Sequence, residues 1–331
     1  MPPSSFPMFR RQLMKGLALG AGSLWFPALQ AQGAWPAKPL SLIVPFPAGG
    51  ASDIGGRILA VELNKLIGQS MVIDNLAGAG GAIGVQKLIR SAPDGYTFVY
   101  GGMSEAMLVP LINKALNYKT EDMLPVAMVG NTPVVLATRA DFPANNIDEL
   151  MALVRKRPGH FSYGSSGIGS FAHVMTETIK EKTGVFMVHI PYRGGSQVVA
   201  DLVSGQIDVA VITMPSALAM LQAKKLKVLG VSSKERVSLI KDVPTFNESK
   251  ELKGVEMMVW AILFAPLGTP DAIVQKLNTA INQVHANPAI QNTIARLGSE
   301  VPTAYSPSQL RDFLQVQKRL YASVVSRIQP E

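Results

Sequence analysis

The sequence predicts an α/β protein of two lobes, each a mostly parallel sheet flanked by helices. Three observations carry this prediction. Short apolar runs of strand type alternate with helical segments, an order typical of parallel sheets covered by helices. Glycine-rich turns follow four of these runs, at the points where strands pass into helices. About ten strands also exceed the usual content of one sheet, which favours two lobes.

The predicted elements follow one another in a regular order. Strands are predicted at 40–44, 71–73, 96–100, 134–137, 161–163, 185–190, 207–212 and 226–231. Helices are predicted at 54–66, up to 89, at 147–155, up to 180, after 196, and at 270–285, 288–297 and 307–327. The helix-rich end of the chain predicts a discontinuous first lobe of 35–131 plus 262–331. The second lobe is then 132–261, joined to the first by two segments near Thr132 and Ala261.

The composition indicates a well-packed protein and argues against nucleic-acid binding. Of the 331 residues, 47% are hydrophobic and 16% are charged, which suffices for a sizeable core and excludes general disorder. The formal net charge is +8, but its excess of basic residues is spread thinly, and the longest basic run is 155–157. Proteins that bind nucleic acid cluster basic residues with aromatic ones. We therefore expect no nucleic-acid partner.

Residues 1–33 are predicted to be an export signal. Arg10, Arg11 and Lys15 precede an apolar run at 16–29 and then several small residues. This order is typical of a signal peptide with a basic, an apolar and a cleavage region. The run is shorter than the roughly 20 apolar residues of a membrane span. The paired arginines resemble a twin-arginine signal, with an ordinary secretory signal as the alternative.

The sequence contains no cysteine. An exported protein of this kind has no disulfides and relies on its core, and it cannot carry a lipid on an N-terminal cysteine. We therefore expect a protein that is free in the periplasm after signal cleavage, without a lipid anchor.

The glycine-rich turns are the candidate ligand site. They lie at 47–50, 78–81, 164–170 and 193–196. In an open parallel sheet the ligand binds outside the carboxyl ends of the strands. Backbone N–H groups at the following helix starts favour an anion there. The turns therefore predict a carboxylate site in a cleft, although glycines that serve turn geometry alone are the alternative at each position.

No motif for a nucleotide or metal cofactor has the required residue spacing. A dinucleotide fingerprint that starts at Gly78 has Ile83 where the third glycine belongs, and there is no phosphate-loop motif. The four histidines, at 160, 173, 189 and 285, lack metal-ligand spacing. We expect no cofactor and no bound metal.

A secreted serine hydrolase is the main rival to a binding protein. The segment 164–168 misses the nucleophile-elbow pattern by one residue. Ser166 or Ser170 could still act as a nucleophile, with His173 nearby on the following helix. His173 has no evident acidic partner, however, and we expect it to pack in the lobe or to touch a ligand.

Several sequence blocks carry a family resemblance. In order, they are 43–50 (IVPFPAGG) with Asp53 and Arg57, 78–84 (GAGGAIG), 93–97 (PDGYT), 163–167 (YGSSG), 191–195 (PYRGG), 205–208 (GQID) and 242–245 (DVPT). They resemble the Bug family, the TctC-like periplasmic substrate-binding proteins of tripartite tricarboxylate transporters. Together with shorter matches they run across residues 40–270, essentially the whole mature chain.

The resemblance implies a two-lobed periplasmic-binding-protein fold of the type II kind that closes over a carboxylate. It also implies that main-chain groups of 46–50 and 165–170 hold the carboxylate, with the turn 192–196 nearby. The predicted ligand-binding residues are Phe46, Ala48, Gly49, Gly50, Asp53, Gly80, Gly81, Met103, Ser165, Ser166, Gly169, Ser170, His173, Tyr192, Gly194, Gly195, Thr213 and Met214. The expected partners of a monomeric, non-catalytic receptor are the permease subunits of such a transporter. A sensor protein that takes the ligand-bound form is the alternative.

The chain departs from the family pattern in two places. Asp74-Asn75-Leu76-Ala77 stands where relatives usually have Glu-Asn-Arg-Pro, and Ile212-Thr213-Met214 stands where an acid and an amide are frequent. The second departure favours a more apolar ligand. Phe46, Met103 and Met214 are the predicted apolar wall behind the carboxylate. The alternative for the methionines is gap filling in the core.

Overall fold

The computed structural model describes residues 35–326. The export signal predicted at 1–33 lies outside these residues, as does the last residue of the helix predicted to end at 327. Within the described residues no helix has both the length and the apolar character required to cross a bilayer.

Between residues 35 and 326, nine strands alternate with helices, and most begin and end within a few residues of their predicted positions. The strands are β1 (Leu40–Val44), β2 (Met71–Asn75), β3 (Thr97–Gly102), β4 (Met123–Arg139), β5 (Ser162–Ser165), β6 (Val188–Pro191), β7 (Val209–Thr213), β8 (Leu226–Val231) and β9 (Met258–Pro266). The α/β fold class is therefore confirmed. β9 was not predicted, and β4 is much longer than the predicted strand 134–137.

The helices cover the sheet and follow the ends of its strands. They are α1 (Ala51–Ile67), α2 (Ala82–Ile89), α3 (Val109–Ile112), α4 (Ile147–Lys156), α5 (Phe171–Thr183), α6 (Gly195–Ser204), α7 (Met214–Gln222), α8 (Asp271–Ala286), α9 (Pro288–Arg296) and α10 (Pro307–Val325). A π-helical turn, Ser104–Leu108, connects β3 to α3. The helix α7 was not predicted, although Thr213 and Pro215 stand at its start.

The strand order is β2-β1-β3-β9-β4-β7-β5-β6, and β8 also pairs with β4. β1 is parallel to β2 and β3, and β5 is parallel to β6 and β7. All pairings of β4 and β9 are antiparallel. The parallel strands therefore carry the glycine-rich turns, and β4 and β9 connect the two parallel groups.

β4 changes its partners along its length. Met123–Pro133 pairs with β9, and from Val134 onward the strand pairs with β7 and β8. The predicted lobe boundary near Thr132 and Ala261 falls at this change. From Pro36 onward the chain forms one continuous contact network, so the division into two lobes stays a prediction.

The close packing of α2 on β1 fixes the loop that follows β1. Gly84 faces Pro45 so closely that a Cβ there would lie 2.8 Å from Pro45 Cβ and 3.1 Å from its Cα. Ile43 Cγ2 would be 3.2 Å away. Because a proline ring cannot rotate aside, only glycine permits this approach.

We expect Gly84→Val to lower the free energy of unfolding by about 1–3 kcal/mol, the usual cost of overpacking a core. Denaturant unfolding followed by circular dichroism measures it. Ile83→Val on the same helix is the control, because Ile83 is 45% exposed. This substitution should change the free energy of unfolding by no more than about 0.5 kcal/mol. Equal stability of Gly84→Val and the wild type would show that α2 can move away from β1 at no cost.

Candidate ligand-binding site

An open pocket lies where the parallel strands end and the helices begin. Its empty volume, counted out to its mouth, is about 690 Å³. The loop after β1, the end of β3, the π-helical turn and the starts of α5, α6 and α7 line it. Six predicted residues are part of this lining: Phe46, Gly50, Met103, Ser166, Gly195 and Thr213. Glu105 is the one ionisable residue among the described residues that line the pocket.

Three helices begin at the pocket without a capping side chain. The residues before the first turns of α1, α6 and α7 are Gly50, Gly194 and Thr213, and none of them caps its helix through a side chain. α5 differs, because the Ser170 hydroxyl accepts a hydrogen bond from the His173 N–H. The first N–H groups of a helix carry partial positive charge. These helix starts therefore bring partial positive charge to a pocket whose described lining contains no basic side chain.

Asp53 holds the loop between β1 and α1. It is 3% exposed, and its Oδ2 accepts hydrogen bonds from Gly49 N at 3.0 Å and Arg57 Nε at 2.9 Å. Asn75 Nδ2 donates to Asp53 Oδ1 at 3.0 Å and to the Phe46 carbonyl oxygen at 3.1 Å. Burial alone would raise the pKa of Asp53, but these hydrogen bonds outweigh it and hold the pKa below its usual value. Asp53 therefore orders the loop from beneath and does not line the pocket.

Ser165 organises the loop after β5. It is fully buried, and its hydroxyl lies 2.7 Å from His189 Nε2. The hydroxyl oxygen also accepts a hydrogen bond from Gly167 N at 3.2 Å and lies 3.1 Å from the Gly167 carbonyl oxygen. The hydroxyl in contact with the His189 ring thus belongs to Ser165, which is buried and does not line the pocket.

His173 supports the same loop from α5. It is 1% exposed, and its Nδ1 accepts a hydrogen bond from Gly169 N at 3.1 Å. Its ring stacks on His189 with centroids 4.2 Å apart, and His189 stacks in turn on Tyr163. Gly169, Ser170 and His173 therefore support the loop and do not line the pocket.

The loops after β1 and β2 touch the loops after β5 and β6. A Cβ at Gly194 would lie 2.4 Å from Pro47 Cδ, although the extended backbone of Gly194 suits any residue. A Cβ at Gly167 would lie 3.2 Å from the Gly80 Cα. The Ser104 hydroxyl also accepts a hydrogen bond from the Phe171 N–H at 2.8 Å. These contacts join the two parallel groups of strands across the pocket.

The other predicted residues lie around the pocket. A Cβ at Gly81 would lie 3.3 Å from Phe46 Cζ. Ala48 is exposed at the tip of its loop. The Tyr192 hydroxyl donates a hydrogen bond to Asp201 Oδ2 at 2.7 Å. Met214 does not belong to the pocket wall, because its side chain is fully buried against Gly298.

Several residues that line the pocket were not predicted from the sequence. They include Ser52, Ser104, Glu105, Phe171, Ser216 and Val259. Val259 belongs to the unpredicted β9, and Ser104 and Glu105 belong to the π-helical turn. Glu105 had one signal in the sequence, because it is the only charged residue in the otherwise apolar stretch 97–112.

A second pocket adjoins the first. Its empty volume is about 850 Å³, and helices α1, α8 and α9 with strands β4 and β9 enclose it. The two pockets share Ala51, Ser52, Gly102, Thr213 and Val259. We take the first pocket as the candidate site, because the helix starts and strand-end loops converge there. Among residues 35–326 no group of three or more acidic or histidine side chains is arranged to hold a metal ion.

Comparison with known proteins identifies the family. Residues 56–329 match the model of the tripartite tricarboxylate transporter family receptor. Protein BugT of Bordetella pertussis is 35% identical over 293 residues, which cover 88% of this chain and 89% of BugT. Among solved structures, R. palustris Rpa4515 with adipate has a TM-score of 0.85 at 29% identity, covering 88% of this chain and 97% of that one. MatC from Rhodopseudomonas palustris with bound malate has a TM-score of 0.83 at 29% identity, with coverages of 88% and 99%. The chain has the fold of these periplasmic binding proteins and belongs to the tripartite tricarboxylate transporter receptor family, which includes the Bug proteins.

Proposed function

We propose that this protein is a periplasmic receptor that binds a small organic carboxylate between two lobes. The observation that carries the proposal is the convergence of the starts of α1, α6 and α7 on one pocket, without capping side chains. Backbone N–H groups at helix starts suit an anion, because they supply donors and partial positive charge together. The adipate and malate bound by the two related proteins are carboxylates as well.

The pocket lining favours a ligand with an apolar body. Phe46 is half-buried, and Met103 and Phe171 are buried around the same space. Binding pockets commonly combine such a lining with a few polar groups that orient the ligand. Met214 does not line the pocket, so we assign the apolar wall to Phe46, Met103 and Phe171.

We also propose that the two parallel groups of strands act as lobes that close over the ligand. β4 and β9 pass together from one group to the other and would act as the hinge. The contacts between Pro47 and Gly194, and between Ser104 and Phe171, would form on closure. Loop contacts of this kind can be lost and remade without disturbing either group of strands.

The proposed setting follows from the family and the sequence. We propose that residues 1–33 direct export and that the mature protein is a monomer free in the periplasm, without a lipid anchor. Its partners would be the permease subunits of a tripartite tricarboxylate transporter. Signalling through a sensor protein is the alternative, and deletion of the permease genes distinguishes them: loss of ligand uptake supports the transporter.

We infer that the protein is not an enzyme. Ser165, whose hydroxyl contacts the His189 ring, is fully buried and does not line the pocket. Ser170 caps α5 and lies outside the lining as well. Ser166 does line the pocket, but His189 Nε2 contacts Ser165 and His173 Nδ1 accepts from the Gly169 N–H. A serine nucleophile needs an adjacent base, and neither of these ring nitrogens is directed to Ser166.

We expect acids to bind with micromolar affinity, roughly −8 kcal/mol. Amides or esters of the same acids should bind at least about tenfold more weakly, because a hydrogen bond to a charged group contributes about 1.5–3 kcal/mol. Titration calorimetry with adipate, malate and benzoate against their amides measures the difference. Equal affinities for acid and amide would exclude an anion site.

We expect Phe46→Ala to weaken benzoate binding by about 1 kcal/mol or more, the usual loss for an aromatic contact. Malate, which has a short hydroxylated body, should bind nearly as before. Calorimetry on both ligands gives the comparison, and equal losses would mean that Phe46 only shapes its loop.

We expect Gly194→Ala to weaken ligand binding without lowering the free energy of unfolding of the ligand-free protein. The added methyl would overlap the Pro47 ring and oppose closure by about 1–3 kcal/mol, as overpacking does. Pro47→Ala removes the overlapping ring atoms, so the double variant should recover affinity while Pro47→Ala alone stays near the wild type. An equal loss in Gly194→Ala and in the double variant would contradict closure through this contact.

A further inference from the structure

Glu105 stands out because it is an acid in an apolar part of the pocket lining. It lies in the π-helical turn after β3 and is 0% exposed. Its side-chain stem fills the space in front of Gly81, where an added Cβ would lie 2.6 Å from Glu105 Cβ. The residue also lines the candidate pocket. π-helical turns are frequent at functional sites.

Only one of the two carboxylate oxygens of Glu105 has a partner. Oε1 accepts a hydrogen bond from the Gly102 N–H. Oε2 is buried and has no hydrogen-bond partner within the described part of the chain. A buried polar atom without a partner costs roughly 1–3 kcal/mol. A ligand in the pocket can supply the partner.

No basic side chain compensates the charge of Glu105. Among the described residues that line the pocket there is no lysine, arginine or histidine. The nearby titratable groups are two tyrosines. The Tyr100 hydroxyl donates to the Val129 carbonyl oxygen at 3.3 Å, and the Tyr118 hydroxyl donates to the backbone carbonyl of Glu105 at 2.8 Å. Neither hydroxyl binds the carboxylate.

The other elements packed against this turn carry charged side chains that are paired or exposed, and on α10 the exposed ones are Arg311, Asp312 and Arg319. α2 carries Lys87, which pairs with Asp74 at 2.6 Å. α10 carries Lys318, which pairs with Glu121 at 2.6 Å. Tyr321 on α10 stays neutral, because burial raises its pKa to about 12.

Glu105 can therefore be either protonated or ionised near neutral pH. Burial raises the pKa of this carboxyl to about 7, although hydrogen bonds from the N–H groups of Gly102 and Glu105 itself lower it. A ligand carboxylate in the same pocket raises the pKa further, because like charges disfavour ionisation.

We propose that Glu105 binds the ligand in its neutral form and donates its hydrogen to a ligand oxygen, so that capture of a carboxylate takes up one proton. This inference rests on the proposed function. The proton comes from solvent and resides on Oε2 of Glu105, and no covalent bond of the ligand changes. Binding is then strong below the pKa of free Glu105 and weakens above it, because only the protonated fraction is competent.

The test is titration calorimetry at pH 6.0 and pH 8.5, with adipate, malate and benzoate as probes. For a pKa of about 7, the competent fraction predicts binding about 30-fold weaker at pH 8.5. At each pH, titrations in two cationic or zwitterionic buffers that hold that pH and differ in ionisation enthalpy should show uptake of about one proton at pH 8.5 and almost none at pH 6.0.

Glu105→Gln is the diagnostic variant. Its amide keeps a donor at the same place and cannot titrate, so affinity should differ less than about threefold between the two pH values. Glu121→Gln is the control, because Glu121 pairs with Lys318 away from the pocket, and it should keep the wild-type pH dependence. If Glu105→Gln does not fold, the wild-type pH dependence and proton count decide alone.

Equal wild-type affinity at both pH values without proton uptake would overturn the inference. Affinity that rises with pH would also overturn it, because an ionised Glu105 would then accept a hydrogen bond from a donor on the ligand. If none of the three acids binds at either pH, the proposed function itself fails, and this inference fails with it.

Discussion

The partial positive charge at helix starts is the interaction on which the site depends. α1 and α6 begin after Gly50 and Gly194, which have no side chain to cap them, and α7 begins after Thr213, whose hydroxyl donates instead to Ser216. Because the described lining contains no basic side chain, the attraction for the proposed anion would come from the backbone. Releasing a ligand from such a site should require less free energy than releasing it from basic side chains. This property suits a receptor that must release its ligand.

The sheet brings these helix starts together. Parallel strands deliver every following helix to the same edge of a sheet, and β4 and β9 connect two such groups so that their edges meet at one pocket. Buried hydrogen-bond networks then hold the loops: Asp53 and Asn75 on one side, Ser165 and His189 on the other. Within the described lining of the pocket, Glu105 is the one ionisable residue.

Much of this could be predicted from the sequence, because the glycine-rich turns and short apolar strands have clear local signals. Phe46 and Gly50, which line the candidate pocket, were predicted in this way. β9 was missed because Met258–Pro266 is a continuous apolar run without turn residues at its start. Met214 was misplaced because α7 turns its side chain toward Gly298, which no local pattern reveals. Glu105 depends on a π-helical turn, a feature set by tertiary packing.

A crystal structure of the protein with bound adipate tests the central claim most directly. The account predicts a carboxylate group in the pocket, with its oxygens within about 3.2 Å of backbone nitrogens at the starts of α1 and of α6 or α7. It also predicts no lysine or arginine in contact with that group. A carboxylate held by a basic side chain, or bound only in the neighbouring pocket beside α8 and α9, would contradict the account.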